Sequence, residues 1–242
     1  MYERREDRIN GLAKINNAKN YLEIGVSKGV TFKEVEITNK VAVDPCFRFD
    51  TSDDQSNCKY FEVTSDEYFS KICAKENTNF DLIYLDGLHT FEQTFRDFCA
   101  SLQYSNENTI WLIDDTHPVS MYSADPDMNR AQKLSDIAGY QIKSWMGDVF
   151  KVVFAIHDFF PQFSYRTFSG HGQTVFWLET RTEFKPRWNC LEDISRLGFD
   201  DFLENRAELL MLSDGASIIN TVRESYLQNS SEVQKESMLE AC

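Results

Sequence analysis

The sequence predicts an α/β fold, in which a mostly parallel sheet is covered by helices on both faces. Over about the first 180 residues, short apolar runs alternate with helix-like segments, which is the order of strands joined by crossover helices. Hydrophobic residues make up 42% of the 242-residue chain and aromatic residues 14%, enough to bury a large core. We assign residues 1–186 to one sheet domain and residues 187–242 to a helical extension packed on it.

Six segments are predicted to be strands, because each is short, rich in branched or aromatic residues and bounded by a polar or glycine-containing turn. They are residues 21–24, 40–43, 80–85, 109–113, 149–156 and 173–179. The stretch 116–128 contains prolines and several acids and is predicted to be a loop beside the end of the fourth strand. From residue 187 onward the pattern is helical, with a break near Asp214 and Gly215.

One helix of the first domain is predicted in more detail. Large apolar side chains recur at helical spacing, at Phe91, Phe95, Phe98 and Leu102. Residues 90–102 should therefore form a helix whose apolar face packs on the sheet.

Charge and cysteine content narrow the classes of partner. The chain has 25 Lys and Arg against 39 Asp and Glu, a net charge of -14, which repels nucleic-acid phosphates and anionic lipid. No apolar run approaches the roughly 18 residues of a membrane span, and the first ten residues contain no signal-like apolar segment. The six cysteines form no C-x-x-C pair, which favours reduced thiols. We expect a cytoplasmic protein that acts on a small molecule rather than on nucleic acid or a membrane, with homo-oligomerisation left open.

The first strand leads into a loop that predicts a nucleoside site. Residues 21–29 read Tyr-Leu-Glu-Ile-Gly-Val-Ser-Lys-Gly, so Glu23, Gly25 and Gly29 form an E-x-G-x-x-x-G pattern. In an open α/β sheet this turn is where a nucleoside ligand meets a helix, and glycine lets the backbone approach the ligand closely. Asp44 ends the second strand 19 residues after Gly25, in the position of a carboxylate that accepts the ribose hydroxyls. A turn that binds nothing and an Asp that caps a helix are the alternatives for each feature alone.

Glycine spacing separates two classes of nucleotide-binding enzyme. Dinucleotide enzymes use G-x-G-x-x-G, whose middle glycine lets the backbone reach the pyrophosphate, and this chain has no glycine there. An NAD(P)-dependent oxidoreductase or sugar-nucleotide enzyme is therefore the alternative rather than the favoured function. A cofactor-binding protein without catalysis is a third candidate, but it would leave the acids of the next strands unexplained.

Those acids predict a metal site. Asp86 ends the third predicted strand, and Asp114 and Asp115 end the fourth, so their carboxylates should emerge at the same edge of the sheet. Carboxylates this close repel one another unless they are protonated or share a cation, and Mg²⁺ prefers oxygen ligands. Because strands alternate faces, Asp114 and Asp115 can converge only if the chain turns directly after Ile113. The alternative is that these acids cap turns or face solvent.

His89 follows Asp86 by three residues and is the candidate general base. A metal lowers the pKa of a bound hydroxyl, and an imidazole nearby can take the proton as the hydroxyl attacks a methyl group. A helix-start or exposed histidine is the alternative. His117 is a candidate for a supporting contact, whereas His157 and His171 have no partner pattern.

These motifs resemble the class I S-adenosylmethionine-dependent methyltransferases. The resemblance covers residues 21–179 or so and implies a Rossmann-like sheet of seven mostly parallel strands. It also implies that Asp66, in Thr64-Ser65-Asp66, contacts adenine and that Glu23 organises the loop around the methionine end of the cofactor.

A second block, residues 80–89 followed by Trp111-Leu112-Ile113-Asp114-Asp115, resembles the magnesium-dependent O-methyltransferases that act on sugars of macrolides and related glycosides. The segment 145–151 is also similar to that group, although Ser105-Asn106-Glu107-Asn108 replaces its usual Gly-Gly before the strand. The resemblance implies transfer of a methyl group from S-adenosylmethionine to a hydroxyl of a small polar acceptor, a sugar or glycoside, with Mg²⁺.

Overall fold

A computed structural model describes residues 2–52, 57–76, 78–170 and 172–240, without the side chains of residues 229–240. In order, the chain forms α1 (Arg5–Ala13), β1 (Asn20–Ile24), α2 (Val30–Glu34), β2 (Asn39–Val43), β3 (Cys58–Phe61), α3 (Ser65–Glu67), a π-helical turn (Tyr68–Cys73), α4 (Ala74–Glu76), β4 (Phe80–Leu85), α5 (Phe91–Ser101), a 3-10 turn (Leu102–Tyr104) and β5 (Ser105–Ile113). It continues with α6 (Met128–Ile137), α7 (Phe150–Phe159), β6 (Phe163–Phe168), β7 (Thr174–Leu178), α8 (Leu191–Ser195), α9 (Phe199–Leu209), β8 (Leu212–Ser213) and α10 (Gly215–Glu240).

The described strands form one sheet in the order β3-β2-β1-β4-β5-β7-β6-β8. Pairings from β3 through β5 are parallel, β7 runs antiparallel to β5 and β6, and β8 pairs parallel with β6. The predicted mostly parallel α/β sheet is confirmed. Its strand number differs from the expected seven, because the two residues of β8 add an eighth at the edge.

Alternate residues of each central strand enter two separate cores. In β1, Leu22 and Ile24 belong to the core shared with α5 and α7, whereas Tyr21 belongs to the core shared with α1, α2 and α10. This alternation is the period of an extended strand, and it requires helices on both faces. The predicted helix 90–102 is observed as α5, which begins after Thr90, whose hydroxyl accepts a hydrogen bond from the Gln93 amide.

The prediction of a strand at residues 149–156 was wrong. This segment belongs to α7, and every residue from Phe150 to Ile156 is buried. A helix that is apolar all round reads as a continuous apolar run, which periodicity cannot distinguish from a buried strand. β3, β6 and β8 were not predicted, and Ser105 to Asn108 begin β5 instead of forming a turn before it.

Both ends of the described chain pack beside the sheet. α8 and α9 lie against α7, and α10 lies against α1. Tyr2 fits closely between Gly11 and Gly215. A Cβ atom added at Gly11 would lie under 3.0 Å from the ring of Tyr2, and one added at Gly215 would lie under 3.0 Å from the Cβ of Tyr2.

No helix of the described residues is long and apolar enough to cross a membrane. Cys46, Cys58, Cys73, Cys99 and Cys190 are free thiols, and Cys242 and His171 lie outside the described residues.

Candidate active site

Three strand ends meet at the carboxyl edge of the sheet. The Asp86 amide after β4 donates to Ile24 at 2.8 Å, and the Asp114 amide after β5 donates to Leu85 at 3.0 Å. Gly25 lies between these ends with φ +88, and a Cβ there would come 1.9 Å from the Asp86 carbonyl oxygen. Gly25 is therefore required for close packing of the two strand ends, in addition to any approach to a ligand.

An open cavity of about 500 Å³ lies along this edge, which we call the edge cavity. Its walls include Gly25, Asp44, Asp66, Asp86 and His89. They follow the order of the strands, since Asp66 comes after β3, Asp44 follows β2, Gly25 follows β1 and Asp86 follows β4. The volume lies within the range of small-molecule and cofactor sites, roughly 300–1,000 Å³. An elongated nucleoside ligand can therefore lie across four consecutive strands.

Asp44 is fixed as a hydrogen-bond acceptor at the wall of this cavity. Its Oδ2 accepts from the Ser27 amide and its Oδ1 from the Cys46 amide, both at 2.8 Å. The carboxylate thereby connects the loop after β1 to the loop after β2. Each oxygen has a second lone pair, so the geometry is compatible with ribose hydroxyls.

Three other predicted cofactor residues lie in different settings. Asp66 is half exposed at the cavity and pairs with Arg96 at 3.0 Å. Gly29 adopts φ +70 at the start of α2, where Phe49 fills the space that a Cβ would need. Glu23 is a buried residue of β1, outside the cavity wall, and accepts a hydrogen bond from the Tyr21 hydroxyl at 2.7 Å. Burial raises the pKa of Glu23 to about 8, although the Tyr21 bond lowers it.

Asp86, His89 and Asp115 converge, and we call them the Asp–His cluster. Ligand atoms of the three lie within 4.8 Å of one another. His89 Nε2 is 3.4 Å from Asp86 Oδ1, and His89 Nδ1 is 2.9 Å from Asp115 Oδ2. These two carboxylate oxygens are buried and have no hydrogen-bond partner of acceptable geometry. Buried carboxylate oxygens that face one point fit the oxygen-preferring Mg²⁺.

Asp114 is turned away from that cluster. Its Oδ2 accepts from the Tyr84 hydroxyl at 2.7 Å and lies 2.8 Å from Arg5 Nη2, while its Oδ1 accepts from the Asp115 amide at 3.0 Å. Asp115 has φ +59, so the chain turns directly after Asp114 and the two side chains diverge. The structure thus brings together Asp86, Asp115 and His89, and it places Asp114 beside them as an anchored carboxylate.

Burial and charge shift the pKa values of this region strongly. Burial raises the pKa of Asp114, and the nearby charges of Asp86 and Asp115 raise it further. Burial likewise raises the pKa of Asp86. For His89, burial lowers the pKa, but the contacts with Asp115 and Asp86 outweigh it and raise the value to about 10. In this arrangement an imidazolium supplies positive charge between two carboxylates.

The segment 145–151 packs directly over His89. The Trp145 ring stacks on the imidazole with centroids 5.1 Å apart and planes 8° apart. Gly147 has φ +61, and a Cβ there would lie 1.7 Å from the His89 carbonyl oxygen. Asp148 accepts from the Phe91 amide and from Lys151 Nζ, both at 2.8 Å. These contacts fix His89, which itself has φ +59, at the start of α5.

The remaining described histidines lie elsewhere. His117 packs against Phe202, and burial lowers its pKa. His157 Nδ1 lies 2.9 Å from the Tyr165 hydroxyl and 2.9 Å from Arg181, at the end of α7. Neither belongs to the Asp–His cluster.

Sequence reasoning missed Arg5, Tyr84 and Gln173. Arg5 on α1 pairs with both Asp86, at 3.2 Å, and Asp114. The Gln173 amide donates to the Tyr84 hydroxyl at 3.1 Å, which holds that hydroxyl toward Asp114. Tyr84 could have been predicted from sequence, because it lies two residues before Asp86 and alternate residues of a strand point to the same face of the sheet. Arg5 gave no signal, since its approach to the edge depends on how α1 packs.

The comparison with protein families gives a match to part of the sheet domain. Residues 22–116 match a family model described as a methyltransferase domain. No curated protein sequence gives a significant match. The matched segment includes most of β1, all of β2 to β5 and every residue predicted to bind cofactor or metal. The match confirms the sequence prediction of a methyltransferase domain for this part of the chain.

Similar solved structures include MycE from the mycinamycin biosynthetic pathway in complex with Mg and SAH, with a TM-score of 0.48, 14% identity and coverage of 74% of this chain and 50% of that chain. They also include a Bacillus cereus O-methyltransferase in complex with SAH, with a TM-score of 0.47, 15% identity and coverage of 71% and 79%. The SAH-bound methyltransferase PaMTH1 of Podospora anserina has a TM-score of 0.47, 13% identity and coverage of 72% and 78%.

Proposed function

We propose that this enzyme transfers the methyl group of S-adenosylmethionine to a hydroxyl of a small polar acceptor, a sugar or glycoside, with assistance from Mg²⁺. The observation that carries the proposal is the convergence of Asp86, His89 and Asp115, whose ligand atoms lie within 4.8 Å of one another beside the edge cavity. A cofactor cavity alone would serve many methyl acceptors. An oxygen-rich cation site next to it favours a hydroxyl acceptor, whose acidity a cation increases.

The cofactor is assigned to the cavity by the order of its walls. Asp66 would lie at adenine, Asp44 at the ribose hydroxyls, and Gly25 and Asp86 at the methionine end. This orientation directs the methyl-bearing sulfur toward the Asp–His cluster. Catalysis is then mainly positioning, because a methyl transfer requires the acceptor oxygen to lie in line with the bond that breaks.

Asp86 and Asp115 would hold the metal, with His89 next to it, and the anchored Asp114 would hold Asp115 through its amide. Bound Mg²⁺ would supply positive charge that makes the acceptor hydroxyl more acidic. His89 can accept the hydroxyl proton only as a neutral imidazole, which requires another cation to balance the two carboxylates. Trp145 fixes the plane of the ring, so the proton-accepting nitrogen has a defined direction.

The proposal is tested by Mg²⁺ binding and by SAH release with a panel of neutral glycosides. Chelator should abolish turnover and Mg²⁺ should restore it, whereas SAH affinity should survive chelation. Asp86→Asn should weaken Mg²⁺ binding, and Asp136→Asn is the matched control, because its carboxylate lies on the exposed face of α6 and accepts a hydrogen bond from Gln132 at 2.8 Å. Full turnover in chelator would remove the metal from the proposal, and inactivity on every hydroxyl acceptor would remove the acceptor class.

A further inference from the structure

Arg5 contributes a fixed cation to the wall of the edge cavity. It lies on α1, ahead of the first strand, and its side chain is 32% exposed. Among the described residues that form the cavity wall, it carries the one permanent positive charge, whereas Asp44, Asp66 and Asp86 are acids. We propose that Arg5 binds the carboxylate of the methionine moiety of the cofactor, an inference that rests on the proposed cofactor assignment.

The position of Arg5 along the cavity supports this assignment. The acids that suit adenine and ribose follow β3 and β2, so the amino-acid end of the ligand must lie over β1 and β4. Arg5 Nη1 is 3.2 Å from Asp86, the residue after β4, and the Gly25 loop touches the Asp86 backbone. The guanidinium is therefore at the end of the cavity where the carboxylate falls.

The charge of Arg5 is complementary to one group of the ligand. S-adenosylmethionine has two positive groups, the sulfonium and the ammonium, and one negative group, the carboxylate. Asp44 and Asp66 are assigned to the ribose and adenine, so Arg5 is the wall residue whose charge suits the carboxylate at the amino-acid end. Arginine presents a planar fork of donors that matches a carboxylate, which an ammonium of lysine does not reproduce.

The two acids that Arg5 contacts, Asp86 and Asp114, have other partners as well. The Tyr84 hydroxyl donates to Asp114 at 2.7 Å, and His89 Nε2 lies 3.4 Å from Asp86. The helix itself is anchored independently, because Arg8 donates to Gln173 at 3.0 Å and to the Tyr2 carbonyl at 3.0 Å. These contacts hold α1 in place, so that the position of the Arg5 backbone relative to the cavity is defined.

The test compares two ligands that differ at the amino-acid end, SAH and 5′-methylthioadenosine, by isothermal titration calorimetry. Arg5→Gln should weaken SAH binding by about 10- to 100-fold, the effect expected for a charge-assisted pair. Binding of 5′-methylthioadenosine, which lacks the carboxylate, should change less than about twofold. Arg4→Gln is the matched control, since Arg4 is 63% exposed and contacts Glu6 and Asp7 instead of the cavity.

Two further measurements make the result decisive. Arg5→Lys keeps the charge but loses the fork, so its SAH affinity should lie between those of wild type and Arg5→Gln, and this variant serves if Arg5→Gln does not fold. In the wild type, decarboxylated SAH should bind more weakly than SAH. Equal loss of both ligands in Arg5→Gln would show a merely structural role and overturn the inference, as would unchanged SAH affinity. Failure of wild type to bind SAH would instead overturn the proposed function.

Discussion

In the proposed function, His89 is the residue on which the chemistry depends most. Its spacing from Asp86 identified it from sequence, because strand ends deliver residues to one edge. Sequence could not show that Asp114 would face Arg5 and Tyr84 instead of His89, since that depends on the positive φ of Asp115. The sequence therefore predicted that the three acids lie at one edge. It did not predict that Asp86 and Asp115 contact His89 while Asp114 contacts Tyr84 and Arg5.

Replacement of His89 should separate catalysis from binding. Because His89 has φ +59, His89→Asn is a better test than alanine, since Asn tolerates this conformation. Turnover should fall by roughly 10² to 10⁴, the contribution of a positioned base, with SAH affinity nearly unchanged. Steady-state kinetics and calorimetry measure the two effects. Near-normal turnover with only a lower melting temperature would mean that His89 has a structural role.

Glu23 should make stability depend on pH. Its pKa is raised from 4.5 to about 8 in the folded protein, so between these values the folded state holds a proton that the unfolded state has lost. Stability contributed by the protonated form is complete below the unfolded pKa and falls as pH rises toward 8. Glu23→Gln, which does not titrate, should lose less stability than wild type between pH 5.5 and 8, by about 1–3 kcal/mol.

Urea unfolding at the two pH values measures this difference. Glu36→Gln controls for the substitution itself, because Glu36 is 70% exposed. Parallel pH dependence in wild type and Glu23→Gln would show that Glu23 is ionised in the folded protein throughout this range.

At the scale of elements, the central strands were predictable because each is short, apolar and followed by a functional acid or glycine. The helix α7 was not, because its residues are buried on every side and show no helical period. The short edge strands lacked a signal for a different reason. β8 has two residues, and its pairing with β6 depends on tertiary contacts rather than on local sequence.

The packing of segment 145–151 over His89 predicts a specific glycine requirement. Gly147→Ala would place a Cβ 1.7 Å from the His89 carbonyl, so we expect a loss of about 2–4 kcal/mol in the free energy of unfolding. Gly139→Ala is the control, with φ +66 but no atom within 4 Å of the added Cβ, and should lose only about 1 kcal/mol. Equal losses in the two variants would contradict this close contact.

At the scale of the whole molecule, most of the candidate site residues lie at one edge of the sheet. The strand order predicts this, because β1 and β4 are neighbours and their carboxyl ends form the crevice where open α/β sheets bind ligands. The C-terminal segment adds α10 against α1, and α1 carries Arg5 to the same edge. The contact of α10 with α1 and the contact of Arg5 with Asp114 both depend on tertiary packing, so no local sequence motif could have predicted them.

Ligand-induced stabilisation tests the central claim most directly, namely that the edge cavity binds S-adenosylmethionine. A ligand that binds only the folded state stabilises it in proportion to its occupancy, so SAH at about 100 times its Kd should add about 2.7 kcal/mol and raise the melting temperature. NAD and NADP at the same concentration should produce no shift, because the loop after β1 lacks the pyrophosphate glycine. A shift with NAD and none with SAH would contradict the account.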